Sequence, residues 1–194
     1  MKAKIITLGC KVNQYESEAM LEALLAGGFQ EAASGEEADV VVVNSCTVTA
    51  TSDQKVRQTL RRARKENPGA VTVLTGCMPQ AFPEEAAALL EADVVLGNAR
   101  RADLLPRVME YLSSKQRIVD IAPHEKGEKF ERMAVSTSHG RTRAFLKIED
   151  GCDRFCSYCI IPYARGRVRS KPLEDIREEV QCLGEQGFQE VVLT

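Results

Sequence analysis

The chain has 194 residues, 44% hydrophobic and 28% charged, with a net charge of −2 at pH 7, few aromatics and no Trp. This is the balance of a globular protein that can bury a core, long enough for one full domain and part of another. Its near-neutral charge gives no overall nucleic-acid signal. No run approaches the ~20 apolar residues needed to span a bilayer, and MKAKIITLGC lacks the apolar core and cleavage site of a signal peptide.

A cytoplasmic protein with no membrane partner is therefore expected. Its seven cysteines, an odd number, argue against a disulfide framework. In a reducing compartment thiols cluster for metal or catalysis rather than for cross-links.

In chain order, KAKIITLG (2–9) is a short apolar run closed by Gly9 and Cys10. NQYESEAMLEALLAGGF places Ala19, Met20, Ala23, Leu24 and Ala26 at helical spacing and stops at Gly27 and Gly28. ADVVVVN (38–44) is a continuous β-branched run, as a strand covered on both faces reads, and ends in Asn44, Ser45 and Cys46. SDQKVRQTLRRARKENPG predicts a helix capped by Ser52 or Asp53, and AVTVLTG (70–76) a strand followed at once by Cys77. FPEEAAALLEA predicts a further helix, ADVVLGN (92–98) a fourth strand, and ADLLPRVMEYLS a last helix.

Strands alternating with helices at this interval predict an α/β fold, an open parallel sheet with flanking helices over residues 1–112. Right-handed crossovers place the strand ends on one side, where ligands of open α/β sheets bind. Cys10, Cys46 and Cys77 each follow such an end, and Asn98 holds the matching place after the fourth strand. Three thiols distant in sequence thus converge on one edge. A [4Fe–4S] cluster with three protein ligands and one open iron is expected there. The competing reading is that buried cysteine is common and usually inert.

Residues 113–143 hold one strand-like piece, RIVDIA, in a polar run expected to be a linker; both histidines, His124 and His139, fall in it. RAFLKIEDG begins a second unit, 144–194, followed by a loop with Cys152, Cys156 and Cys159, the helix LEDIREEVQCLGEQG and the apolar run QEVVLT. Cubane clusters usually draw four thiolates. Three closely spaced cysteines with no fourth in the loop leave one iron open to a small molecule. A zinc site, which usually closes with a fourth Cys or His in paired spacings, is the alternative, as are three unligated thiols. Cys182 lies inside the last predicted helix near Ile176, Val180 and Leu183 and is expected to pack in the core.

The spacing C-x3-C-x2-C resembles that of the radical S-adenosylmethionine (SAM) superfamily. LGCKVNQYESE, VVNSCTVTATSD, TGCMPQ and GCDRFCSYCIIPYARGRVRS together resemble the blocks of the methylthiotransferases, over almost the whole chain. CKVNQ after the first strand looks most like the branch acting on N6-threonylcarbamoyladenosine beside the tRNA anticodon. The isopentenyladenosine and ribosomal-protein aspartate branches usually read differently there.

The resemblance implies a catalytic (β/α) barrel of which residues 144–194 are the first strand–helix–strand portion, so that the chain reads as a fragment with little activity of its own. It implies SAM on the open iron at Cys152, Cys156 and Cys159, with Tyr158 supporting the adenine. It also implies an auxiliary cluster on Cys10, Cys46 and Cys77 that carries the sulfur for methylthiolation of C2 of the adenine, with tRNA, SAM and an electron donor as partners. Asn13, Asn44, Ser45 and Thr47 would orient the auxiliary site, or serve only as turn and cap residues.

Two basic groups fit an RNA partner. Arg57, Arg61 and Arg64 recur at helical spacing with Arg62 and Lys65 beside them, a pattern that is usually a solvated face. Arg165, Arg167, Arg169 and Lys171 follow the cysteine loop. Two other readings of the chain stand beside the sulfur-inserting enzyme: a radical SAM enzyme using its second cluster for electron transfer, and a cluster- or zinc-binding redox or scaffold module without turnover.

Overall fold

The computed structural model describes residues 1–47, 50–131, 133 and 142–194, with the backbone alone for 50–53. The expected caps Ser52 and Asp53, and His139, therefore lie outside the described side chains. The first unit runs β1 (Lys2–Thr7), α1 (Lys11–Ala26), β2 (Gln30–Glu31), β3 (Val40–Ser45), α2 (Ala50–Glu66), β4 (Val71–Gly76), α3 (Cys77–Ala81), α4 (Pro83–Ala87), β5 (Val94–Leu96), a 3-10 helix Asn98–Asp103, α5 (Leu104–Ser114) and β6 (Ile118–Asp120). The strands form a parallel sheet in the order β2-β1-β3-β4-β5-β6.

The β-branched runs become the central strands because every residue of β3 and β4 is buried, so both faces must be apolar. Alternate residues serve opposite layers. Val42, Val73, Val94 and Leu96 pack with Met20, Leu24, Leu104 and Val108 of α1 and α5. Val43, Leu74 and Val95 pack with Val56, Leu60 and Met78 of α2 and α3.

Three boundaries differ from expectation. FPEEAAALLEA is helical only from Pro83 to Ala87, and Phe82 before it adopts φ −132° and ψ 67°. Proline disfavours the helical region for its predecessor, so the chain breaks there after α3. β6 pairs with β5, which carries the first sheet past residue 112 into the stretch expected as linker. β2 is an edge strand of two exposed residues, too short to show a period.

The second unit comprises β7 (Ala144–Leu146), β8 (Glu149–Asp150), α6 (Ile161–Arg165), β9 (Arg169–Ser170), α7 (Leu173–Glu185) and β10 (Val191–Leu193). β10 pairs parallel with β7, a strand–helix–strand unit. RAFLKIEDG is thus two strands rather than one, and its second half pairs antiparallel with β9. Phe145 and Val192 pack on Tyr15 and Ala19 of α1, which docks the second unit on the first. Cys182 is half-buried rather than in the core, with the Gln186 Nε2 donating to its sulfur at 3.2 Å; only Leu183 of α7 is fully buried. No helix among the described residues is long and apolar enough to cross a membrane.

Candidate metal centres

β3 and β4 end in register, Ser45 opposite Gly76, so Cys46 and Cys77 leave neighbouring strands side by side. β1 lies on the other side of β3, and the Leu8 N–H donates to the Asn44 carbonyl at 2.8 Å, bringing the Gly9–Cys10 turn to the same edge. Neighbouring strands lie about 4.8 Å apart, which brings the three chain segments to one place. Gly76 permits the approach. Its φ is 101°, and a Cβ would meet the Ser45 carbonyl oxygen and lie 2.6 Å from Asn44 Oδ1.

The polar residues expected to flank this edge lock it together. The Cys10 thiol donates to Asn13 Oδ1 at 3.2 Å, and Asn13 Nδ2 donates to the Ser45 carbonyl at 3.0 Å. Asn44 Nδ2 donates to the Asn13 carbonyl at 2.9 Å and to Ser17 Oγ at 3.0 Å. Ser45 Oγ donates to the Thr75 carbonyl at 2.6 Å and accepts from the Met78 N–H at 3.3 Å. Thr47 is buried beside them. Asn98, past β5, donates to the Ala164 carbonyl at 2.5 Å and neighbours Cys77. Cys10 is exposed, whereas Cys46 and Cys77 are buried. Burial pushes the Cys77 thiol up, against the pull of the Arg165 guanidinium.

The second cysteine set lies between β8 and α6, in a loop closed at its base by the β8–β9 pair. The Cys152 N–H donates to the Gly166 carbonyl at 3.0 Å, and the Cys159 N–H to the Cys156 carbonyl at 2.9 Å. Gly151 at φ 81° opens the loop where a Cβ would collide with the Arg167 carbonyl. Phe155 packs edge-on against Tyr163, ring centres 5.8 Å apart, with the Arg167 guanidinium 6.0 Å from its ring. Cys156 is exposed, Cys152 and Cys159 are half-buried, and Tyr158 is 90% exposed.

None of the seven cysteines is joined in a disulfide. Among the described residues no three His, Cys, Asp or Glu side chains are drawn together in ligand geometry. The donor chemistry nonetheless fits iron–sulfur ligation: two sets of three thiols, each on one edge or loop, with no imidazole interleaved and the one carboxylate of the loop, Asp153, paired with Arg167 at 3.5 Å. His124 is paired through Nδ1 with Glu128 at 2.9 Å.

Between the two sets lies a buried group of charges that the sequence reading missed. Glu16 of α1 accepts from Lys147 Nζ at 2.7 Å and Arg165 Nη1 at 2.8 Å, and pairs with Arg101. Asp150 accepts from Lys147 at 2.6 Å, Arg165 at 3.0 Å and Arg101 at 3.2 Å. Burial opposes the ionised form of each carboxylate. The three cations prevail and hold both well below the usual carboxylate range.

Three of the four basic residues that follow the cysteine loop turn inward. Arg165 and Lys171 are buried, the latter against Tyr15 and Glu179. Arg169 pairs with Glu128 at 2.8 Å and Asp150 at 3.4 Å. These side chains turn inward because carboxylates from distant segments wait there. Arg167 alone of the four is open, 63% exposed. On α2, Arg57 meets Glu85 at 3.4 Å, Arg61 meets Glu91 at 3.0 Å, and Arg64 holds both oxygens of Asp93 at 2.7 and 2.8 Å.

Residues 2–97 match a family model described as "Uncharacterized protein family UPF0004". The whole chain is 39% identical over 194 residues to the threonylcarbamoyladenosine tRNA methylthiotransferase MtaB of Aquifex aeolicus, covering 47% of that protein. It is 42% identical over 188 residues to the protein of that name from Bacillus subtilis, covering 97% of this chain and 42% of that one. A tRNA-2-methylthio-N(6)-dimethylallyladenosine synthase of Pelotomaculum thermopropionicum is 34% identical, with 99% of this chain and 44% of that protein covered. The chain thus spans under half the length of these curated relatives. Among solved structures, the radical S-adenosylmethionine methyltransferase TsrM of Kitasatospora setae superposes with a TM-score of 0.64, over 100% of this chain and 47% of that one. At 14% identity that likeness shows the fold.

Proposed function

As the chain belongs to the methylthiotransferase family, we propose that the protein methylthiolates C2 of N6-threonylcarbamoyladenosine next to the anticodon of tRNA. The observation that carries this reading is the register of β3 with β4 beside β1, which sets Cys10, Cys46 and Cys77 on one sheet edge. A loop of three cysteines alone supports a generic radical generator; a second sulfur-ligated centre supports sulfur insertion.

Cys152, Cys156 and Cys159 would hold one [4Fe–4S] cluster and Cys10, Cys46 and Cys77 a second. When bound, the two groups supply the electron that cleaves SAM and the sulfur to be inserted. Tyr158 stands open at the loop tip, its ring available to the adenine of SAM. Asn13, Asn44 and Ser45 tie the three strand ends to one another, so the thiols are presented from a fixed frame. The burial of Cys46 and Cys77 keeps water from their side of that second centre. Arg167, exposed though within 3.5 Å of the also exposed Asp153, is the member of its basic group open to a phosphate.

Two units, the first running to Asp120 and the second from 144, would divide the tasks. A reduced electron donor and a cytoplasmic setting complete the reading. The relatives named for dimethylallyladenosine support the same chemistry on another tRNA nucleoside, and a ribosomal-protein aspartate is the third target of the resemblance.

The test is mass spectrometry of tRNA nucleosides from cells with and without the intact protein. We expect the 2-methylthio derivative of N6-threonylcarbamoyladenosine to vanish and its precursor to accumulate. Loss of the dimethylallyladenosine derivative instead would move the protein to that branch. Unchanged nucleosides would overturn tRNA as the substrate.

A further inference from the structure

The proposed chemistry makes no use of the buried charges, yet one of them touches both cysteine-bearing segments. Arg165 Nη2 donates to Asn13 Oδ1 at 3.2 Å, the same oxygen that accepts the Cys10 thiol at 3.2 Å. Arg165 Nη1 donates to Asp150 Oδ1 at 3.0 Å, and that oxygen also accepts the N–H of Gly151 at 2.9 Å, one residue before Cys152. The adjoining Gly166 carbonyl takes the Cys152 N–H at 3.0 Å. Glu16 clamps the guanidinium from a third side, at 2.8 and 3.3 Å. The same guanidinium lies within electrostatic reach of the Cys77 sulfur.

We propose that Arg165 is a positioning residue for both centres: its guanidinium fixes the Cys10 turn relative to the Cys152 loop and sets a permanent positive charge beside Cys77. The inference rests on the reading that Cys10, Cys46 and Cys77 hold a cluster. Arginine suits this place because its planar fork reaches four acceptor oxygens at once, on Asn13, Glu16 and Asp150. Lysine brings the charge without the fork. A fixed positive charge also favours the reduced, more negative state of a neighbouring cluster, which raises its potential, as charge and hydrogen bonds near the sulfurs do in general.

The test uses the anaerobically reconstituted protein with Arg165→Met, Arg165→Lys and Asn13→Ala. Iron and sulfide are counted first: about eight irons per chain correspond to two filled centres. A wild-type protein that fills only the Cys152 set removes the cluster reading and this inference with it. With both filled, the midpoint potential of the Cys10, Cys46 and Cys77 centre is expected to fall in Arg165→Met and to return most of the way in Arg165→Lys.

The magnetic interaction between the two reduced centres, read by electron paramagnetic resonance, is expected to change in all three variants, because each cuts the link through Asn13. If Arg165→Met does not fold, Arg165→Lys and Asn13→Ala carry the test through that interaction. A potential unmoved in Arg165→Met, or an interaction unmoved in Arg165→Lys and Asn13→Ala, with both centres loaded, would overturn the proposal.

Discussion

Glu16 of α1 and Arg165 of α6 are 149 residues apart in sequence and meet inside the protein, Oε1 to Nη1 at 2.8 Å, with Arg101 and Lys147 on the same carboxylate. Breaking a buried ion pair from one side costs about 3–5 kcal/mol because a charge is left uncompensated. Glu16→Gln leaves Arg101, Lys147, Arg165 and Arg169 facing Asp150 and is expected to lower stability by that order. Denaturant unfolding followed by circular dichroism measures it. A change no larger than about 0.5 kcal/mol, the usual scale of a surface substitution, would sink the idea that this cluster joins the units.

The same carboxylate sets an acid limit. Glu16 is faced by Arg101 from the 3-10 helix, Lys147 from the segment between β7 and β8, and Arg165 from α6, and its folded pKa is held well below its ordinary value. A depressed carboxylate contributes stability above its unfolded pKa, about 4.3, and loses it as pH falls toward the folded value. Thermal unfolding of the wild type should therefore weaken progressively below about pH 4.3. Glu16→Gln should show a shallower acid dependence over the same range, and parallel curves would exclude Glu16 as the cause.

The parallel sheet and the placing of Cys10, Cys46 and Cys77 were legible because continuous β-branched runs, each closed by a turn and a cysteine, leave few alternatives to buried parallel strands. The inward turn of Arg165, Arg169 and Lys171 was not. Locally they read as a charge run, and the carboxylates Glu16, Asp150 and Glu128 that draw in Arg165 and Arg169 sit on other elements. One signal was available: Glu16 lies four residues before Met20 and eight before Leu24, on the buried stripe of α1, where an unpaired carboxylate is costly. β2, β8 and β9, at two residues each, carry no period to read.

Arg167 is open where its neighbours are not, which separates RNA contact from folding. Arg167→Gln is expected to leave the unfolding transition within about 0.5 kcal/mol of wild type. It should weaken tRNA binding by the full-length protein, and the slope of log affinity against log salt should drop by about 1. Arg169→Gln, which removes the partner of Glu128 and Asp150, should act on stability instead. Filter binding across a salt series, set beside melting curves, distinguishes the two; an unchanged slope in Arg167→Gln would remove it from the RNA surface.

Two glycines separate the centres from each other. Gly76 stands at φ 101° directly before Cys77, and Gly151 at φ 81° directly before Cys152. At each, a Cβ would collide with a backbone carbonyl, that of Ser45 or that of Arg167. Alanine is strained at such φ values whatever the space, so each exchange should cost more than the ~1 kcal/mol that separates glycine from alanine at a compatible site. The displaced thiol differs, however. After anaerobic reconstitution, Gly76→Ala should lower iron at the Cys10, Cys46 and Cys77 set while the Cys152 loop still fills, and Gly151→Ala should do the reverse. Iron analysis of each variant in the background of the opposite triple Cys→Ala protein reads one centre at a time. Equal loss at both centres from either glycine would show that the two sites assemble as one unit, not as two frames joined through Arg165.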